Sequence, residues 1–395
     1  MKKTFLIALA AAALMACTKP AATPELKLSK EALATELAQA ELTVNVISNV
    51  DWTVETDGQA WYSVSPLTGN GNGTLTISVQ EQTEPKARAA EILVKGGELV
   101  ARLSLVQGLP EPGEVASGSF VIEEVFFAGF VPEGSTSSDA GDGDQYIKIT
   151  NNTDQLLYAD GLMLCISSEN SQNGGDAYYE PVVPLTADIA VKDIYRIPGN
   201  GTDVPVLAGH SLVLALAAQD FEAENKAGVN LSKADFEFFD GEDVDIDNPD
   251  VPDMENWLQA SASFTMLHNR GYFSLALAKL PADLTRESFM EQYPWEGDMN
   301  FVMDGEVLMT TPIDPGSYLI KNEWVVDGVN LGVNEEIGRL AFNAKVDAGY
   351  TGCGSIDRDP ERYGKSALRK VLNGKLADTN NSTNDFNRDS TPSLK

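Results

Sequence analysis

The feature that most limits the fold is a period of two. Apolar side chains recur at every second position in Leu42, Val44, Val46, in Leu75, Ile77, Val79, in Ile92, Val94 and in Leu103, Leu105. That spacing puts them on one face of a strand, whereas a helix would scatter them around its circumference. Turn clusters separate the runs at Ser48-Asn49, Gly69-Asn70-Gly71-Asn72-Gly73 and Gly96-Gly97. Short strands at this density over residues 26–108 predict a small β-sandwich. The Gly69–Gly73 stretch, lying between strands, reads as a hairpin and not as a phosphate cradle.

The pattern continues beyond residue 118. Phe120 to Phe130 is strand-like, and Tyr146-Ile147-Lys148-Ile149-Thr150 alternates until Asn151-Asn152. Asp160-Gly161 is a hairpin-turn signal, with Leu162, Leu164 and Ile166 on one face after it. Ser211 to Ala217 is almost wholly apolar and predicts a central strand buried on both faces. Phe273, Leu275 and Leu277 mark another strand, and Thr285 to Tyr293 predicts a short helix. Leu109-Pro110-Glu111-Pro112-Gly113 is a stiff boundary. The expected fold class is mainly β: two tandem immunoglobulin-like β-sandwiches, the second enlarged by long loops and short helices.

The first residues carry an address. Lys2 and Lys3 precede an apolar run from Phe5 to Ala16, the core of a signal peptide and too short to span a bilayer. Leu14-Met15-Ala16-Cys17 resembles a bacterial lipobox, which implies acylation of Cys17 and a lipid anchor in the outer membrane. No acidic run follows Cys17, so the sequence leaves open whether the protein faces the cell surface or the periplasm. The expected organisation is a signal peptide over 1–16, a lipidated tether over 17–25, the first sandwich over 26–108, a linker over 109–118 and a large β-sandwich domain over 119–395. Cys165 and Cys353 remain; an oxidising envelope permits a disulfide, and two buried thiols fit equally well.

Two resemblances refine this. Ser48 to Val54 (SNVDWTV), Trp61 to Val79 and a closing Leu105-Val106-Gln107-Gly108 look like a BACON domain, an immunoglobulin-like module of Bacteroidota envelope proteins whose name implies carbohydrate binding. Trp52 and Trp61 could stack on sugars there, but their in-strand positions favour a place in the core. Gln145 to Leu164 and Val206 to Phe221 resemble strands of lamin-tail-like domains. The whole of 119–395 is similar to an uncharacterised family of Bacteroidota lipoproteins often encoded near TonB-dependent receptors. This implies a location and a protein partner and no reaction.

The chemistry in the sequence is thin. With 59 Asp and Glu against 28 Lys and Arg, the formal charge of −31 argues against a nucleic-acid partner. Two His leave little room for histidine-based catalysis. Within the acidic stretch 235–255, Asp243, Asp245, Asp247, Asp250 and Asp253 could offer oxygens to Ca2+, weighed against a solvated acidic loop. Asn248 stands where an EF-hand loop needs glycine. Tyr178, Tyr179, Trp257, Trp295 and Trp324 fall near loops or strand ends and are candidate ligand-gripping residues. The reading is a non-catalytic outer-membrane lipoprotein serving a TonB-dependent nutrient uptake system. Its alternatives are a stand-alone glycan- or metal-chelate-binding lipoprotein and a glycan-active hydrolase.

Overall fold

The computed structural model describes residues 23–82, 87–108, 114–131, 143–171, 177–223, 225–238, 247–259, 267–333 and 337–395. The chain divides into two compact units, Met1–Pro110 and Glu111–Lys395.

The first unit is a sandwich. Leu26–Leu28, Ala40–Ser48, Gly73–Val79 and Tyr62–Ser65 pair in that order as one sheet. Ala32–Thr35, Leu99–Gln107, Arg88–Gly96, Asp51–Thr56 and Thr68–Asn70 form the other. The alternating residues do what their spacing requires: Val44, Val46, Leu75, Ile77, Ile92, Val94, Leu103 and Leu105 all point into one core. Each such side chain contributes about 1.5–3 kcal/mol through burial. Trp52 and Trp61 pack among the same core side chains, the place their in-strand positions favour.

Gly69–Gly73 is not a hairpin. Thr68–Asn70 pairs with Asp51–Thr56, while Gly73–Val79 pairs with two strands of the opposite sheet. The segment is a corner where the chain changes sheets, and its glycines are set by contact. A Cβ on Gly69 would lie 2.1 Å from Cζ2 of Trp52, and one on Gly73 2.8 Å from the same atom. The indole N–H of Trp52 donates to the Gly71 carbonyl at 2.8 Å.

In the second unit both layers come from one continuous twelve-stranded sheet. Its order runs Val325–Val329, Phe273–Ala278, Met163–Asn170, Asp188–Arg196, Asp253–Gln259, Phe236–Phe238, Ser211–Ala215, Tyr146–Asn151, Phe120–Phe126, Ser366–Arg369 and Phe386–Ser390. Tyr318–Lys321 also pairs with Asp188–Arg196. The sheet curls until its ends approach, with the Gly118 N–H donating to the Val326 carbonyl at 2.7 Å. It thereby encloses Phe120, Ile147, Leu164, Tyr195, Leu214 and Leu275 in one core. Ser211–Ala215 is central, flanked by Tyr146–Asn151 and Phe236–Phe238, but it is shorter than expected and fully covered on one face only, with Leu212 and Leu214 buried and Ser211 and Val213 half-buried.

Across the curl, Arg369 and Asp327, both about 2% exposed at the side chain, pair at 2.5 Å. The Arg369 guanidinium also donates to the carbonyls of Ile122 and Ala377, at 2.8 Å each. The Ile122 N–H donates to Asp327 at 2.6 Å. One ion pair thus joins strands from three distant parts of the chain.

The helix Arg286–Gln292 begins where Thr285 caps it, accepting the Ser288 N–H at 3.2 Å, and buries Phe289 alone. Asp160-Gly161 is a turn between strands that do not pair with each other: Leu157–Tyr158 pairs with Pro205–Val206, and Met163–Asn170 with two other strands. Its aspartate explains the departure. The carboxylate collects the N–H groups of Gly201, Asp203 and Val204, a long-range contact that replaces the local hairpin. Cys165 and Cys353 are both free and buried, and burial pushes both thiols up, Cys353 to about 12.

Candidate functional site

An excursion from the large sheet builds one cleft lined by candidate residues. Ala177–Pro181, Asp298–Met303 and Glu306–Pro312 pair as a separate three-stranded sheet. Against its flank opens a cavity of about 410 Å3, lined by Tyr179, Trp295, Met299, Met309, Ile313 and the polar Ser168, Glu169, Asp314. Tyr179 is 47% exposed, its ring 5.0 Å from Phe301. Trp295 is largely buried, and its backbone N–H donates to the Ser317 carbonyl at 2.8 Å. Tyr179 is the exposed aromatic of this lining and Trp295 shows only 8% of its surface; an aromatic face beside a few hydrogen-bonding groups suits a sugar ring or a similarly amphipathic ligand.

Glu169 is the unusual member. It is 3% exposed, and its partner is Arg339, at 2.9 Å. Burial pushes its carboxyl up to about 7 although the Arg339 charge opposes this. The unfolded chain ionises Glu169 near 4.5, so its contribution falls as pH rises from there to about 7. The loss is up to about 3 kcal/mol. Thermal melts from pH 5 to pH 8 should therefore fall more steeply for the native chain than for Glu169→Gln. Parallel curves would mean that Arg339 keeps Glu169 ionised throughout.

The other candidates scatter. Tyr178 is half-buried on the same excursion strand, opposite Val302. Trp257 lines a different cavity and packs on Phe289, ring centres 5.1 Å apart. Trp324 sits edge-to-face on Tyr293 at 5.1 Å, with the Lys321 ammonium 5.0 Å over its ring. Its role is packing beside the core. The structure thus brings Tyr179 and Trp295 together and separates the rest.

Of the acidic residues, Asp243 and Asp245, like Cys17, lie outside the described residues. Asp247 and Asp253 do converge, with Glu237 as third member; one oxygen from each lies within 4.8 Å of the others. Glu237 and Asp253 are register partners on adjacent parallel strands. Asp250 is exposed and stands apart from the trio. Three carboxylates at this separation could hold a hard cation. Both Glu237 oxygens, however, already accept N–H groups, from Ala218 at 2.8 Å and Asn248 at 2.7 Å. Burial raises Glu237 and Asp253, and the Asp247 charge adds to each.

His268 is held flat on Tyr272, ring centres 4.1 Å apart. Burial, with Arg270 and Lys192, lowers it to about 4, so at neutral pH it is an uncharged packing group.

Comparison with known proteins agrees with this architecture. Residues 50–100 match BACON, described as an N-terminal binding domain, and residues 208–393 match DUF4876, described as a protein of unknown function. Among curated proteins none matches. A crystal structure of a DUF4876 family protein from Bacteroides thetaiotaomicron is 16% identical, with a TM-score of 0.55 over 94% of this chain and 98% of that one. A Bacteroides ovatus GH5 xyloglucanase in complex with a XXXG heptasaccharide is 16% identical, with a TM-score of 0.21 over 30% of this chain and 24% of that one. An NMR structure of a Bacteroides thetaiotaomicron protein is also 16% identical, covering 23% of this chain and 93% of that one with a TM-score of 0.17. In a mainly β fold, the chain thus joins a segment similar to BACON domains, residues 50–100, to one similar to the DUF4876 family, residues 208–393.

Proposed function

We propose that this protein is a non-catalytic, lipid-anchored binding protein of the outer membrane that takes a glycan and serves a TonB-dependent uptake system. The observation that carries the binding role is the convergence of Tyr179 and Trp295 on one open cleft. The anchor is argued from the basic head, the apolar run and Cys17. The lamin-tail-like reading of 119–395 belongs to the same proposal and rests on the sequence resemblance.

A glycan-active hydrolase would need a carboxyl free to reach a glycosidic oxygen. Glu169 lines the cleft with Asp314, but Arg339 clasps it and it is almost wholly covered. That favours binding over hydrolysis.

Titration calorimetry of the mature chain against neutral plant and host oligosaccharides tests the cleft. Trp295→Ala and Tyr179→Ala should each weaken binding by about tenfold or more, since one lost aromatic contact is worth about 1–2 kcal/mol. Unchanged affinity in both variants would remove the cleft from the proposal. Crosslinking in intact cells, followed by identification of the partner, tests the uptake role. A TonB-dependent receptor is the expected product, and its absence from every crosslinked species would overturn that role.

A further inference from the structure

A second cavity, of about 450 Å3, lies elsewhere on the same unit and has the opposite electrical character. Arg196, Lys279 and Arg286 line it, with Asp160 as the one carboxylate. The Trp295 cleft is lined by Glu169 and Asp314 and by no Lys or Arg. In a chain of net charge −31, three cations on one concavity need a reason.

Two of these charges, on Arg196 and Lys279, are packed together. Gly161 lies between two of them: a Cβ built on it would sit 3.1 Å from Lys279 Nζ and 3.5 Å from both Nε and Nη2 of Arg196. Gly161 has φ +68°, and the open face of its Cα lets both cations approach the backbone. The counter-charges are incomplete. The Asp160 carboxylate accepts from three backbone N–H groups while its charge still acts on Lys279, which donates to the Asp160 carbonyl. Glu255 neutralises Arg196, at 2.5 Å. Arg286 is exposed and makes no ion pair among the described residues. Trp257, half-buried, adds an aromatic wall, and Asn200 a hydrogen-bonding amide.

We propose that this cavity binds an acidic sugar, a ring that lies against Trp257 and offers a carboxylate or sulfate to Lys279, Arg196 and Arg286. Guanidinium groups recognise such anions with paired hydrogen bonds, and the ring's apolar face suits the indole. This site is separate from the Trp295 cleft.

Titration calorimetry of the mature chain at about 0.15 M salt, where long-range repulsion is screened, provides the test. The probes are digalacturonate, its methyl ester, a sulfated heparin disaccharide and sodium sulfate. At least one acidic disaccharide should bind, and the methyl ester should bind at least about tenfold more weakly than the free acid if digalacturonate is that ligand. Arg286→Ala, at an exposed position without an ion pair, should weaken the acidic disaccharide by about tenfold, one charge-assisted contact being worth about 1.5–3 kcal/mol. Trp295→Ala should leave it unchanged, so failure of either cavity is read separately. Binding of neither acidic disaccharide, or equal affinity in Arg286→Ala, overturns the proposal. Sulfate binding as tightly as the disaccharides overturns the sugar ring's part in it.

Discussion

Replacing Asp327 with alanine should destabilise the large unit by about 3–5 kcal/mol, because it strips the partner from a buried guanidinium. Arg369 cannot reach water from its position at about 2% exposure. Its other acidic neighbours, Asp378 and Asp385, lie at 3.7 and 4.0 Å, too far to replace a 2.5 Å contact. The Ile122 N–H would lose its acceptor at the same time. Burial raises the Asp327 carboxyl while Arg369 pulls it back, and the short contact with two donors argues that the pair is ionised.

For a unit of this size the loss corresponds to a fall in melting temperature of about 10 °C. Calorimetry on the full chain should show it in the larger unit's transition. The double variant Asp327→Leu, Arg369→Met should recover only part of the stability, since desolvating two ions costs about what their attraction returns, but the Ile122 N–H and the Ile122 and Ala377 carbonyls lose their partners. If Asp327→Ala alone cost less than about 1 kcal/mol, water would have to reach Arg369, and the pair would not be the tie between the ends of the curled sheet.

How much of this was legible in the sequence depends on how far each determinant lies from its partner. The period-two runs were enough for Ala40–Ser48, Gly73–Val79, Arg88–Gly96 and Leu99–Gln107, four of the nine strands of the first unit among the described residues, because alternation is a local property. The helix at Arg286–Gln292 was equally local, set by a Thr285 cap and one apolar anchor. Gly69–Gly73 reads as a hairpin because glycine and asparagine between strands usually form one. What fixes it is Trp52, many residues away, which no window around the glycines contains. Asp160-Gly161 misled for the same reason, its aspartate being committed to N–H groups of residues 201–204.

The candidate sites follow the same rule. Glu237, Asp247 and Asp253 are all members of the acidic stretch 235–255, but the reading singles out only the aspartates; parallel pairing is what sets Glu237 beside Asp253. A glutamate between Phe236 and Phe238 on a short apolar strand was the available signal. Tyr179 and Trp295 could be chosen as aromatic candidates but not as a pair, since the excursion sheet that unites them joins residues 177–181 to 298–303. Arg196, Lys279 and Arg286 carry no shared motif at all. Their convergence is a product of strand order, and the overall acidity of the chain pointed away from it.

Trp52 supplies the sharpest test of the first unit, because its two readings predict different measurements. As a core residue it fills the space between Gly69 and Gly73, and its loss would leave a cavity that those glycines have no side chains to fill. Trp52→Ala should then cost about 3–5 kcal/mol, a large share of the 5–15 kcal/mol that typically holds a domain together. Denaturant titration of the full chain should show the first transition shifted strongly or already lost in buffer. Gly69→Ala should be destabilising too, by driving a methyl into the indole at 2.1 Å. Trp52→Phe should fall between native and alanine, keeping most of the apolar volume while leaving the Gly71 carbonyl without its indole donor. A sugar platform would behave otherwise: Trp52→Ala would spare stability and abolish glycan binding. Such a result would return Trp52 to the surface and contradict the packing that makes residues 69–73 rich in glycine.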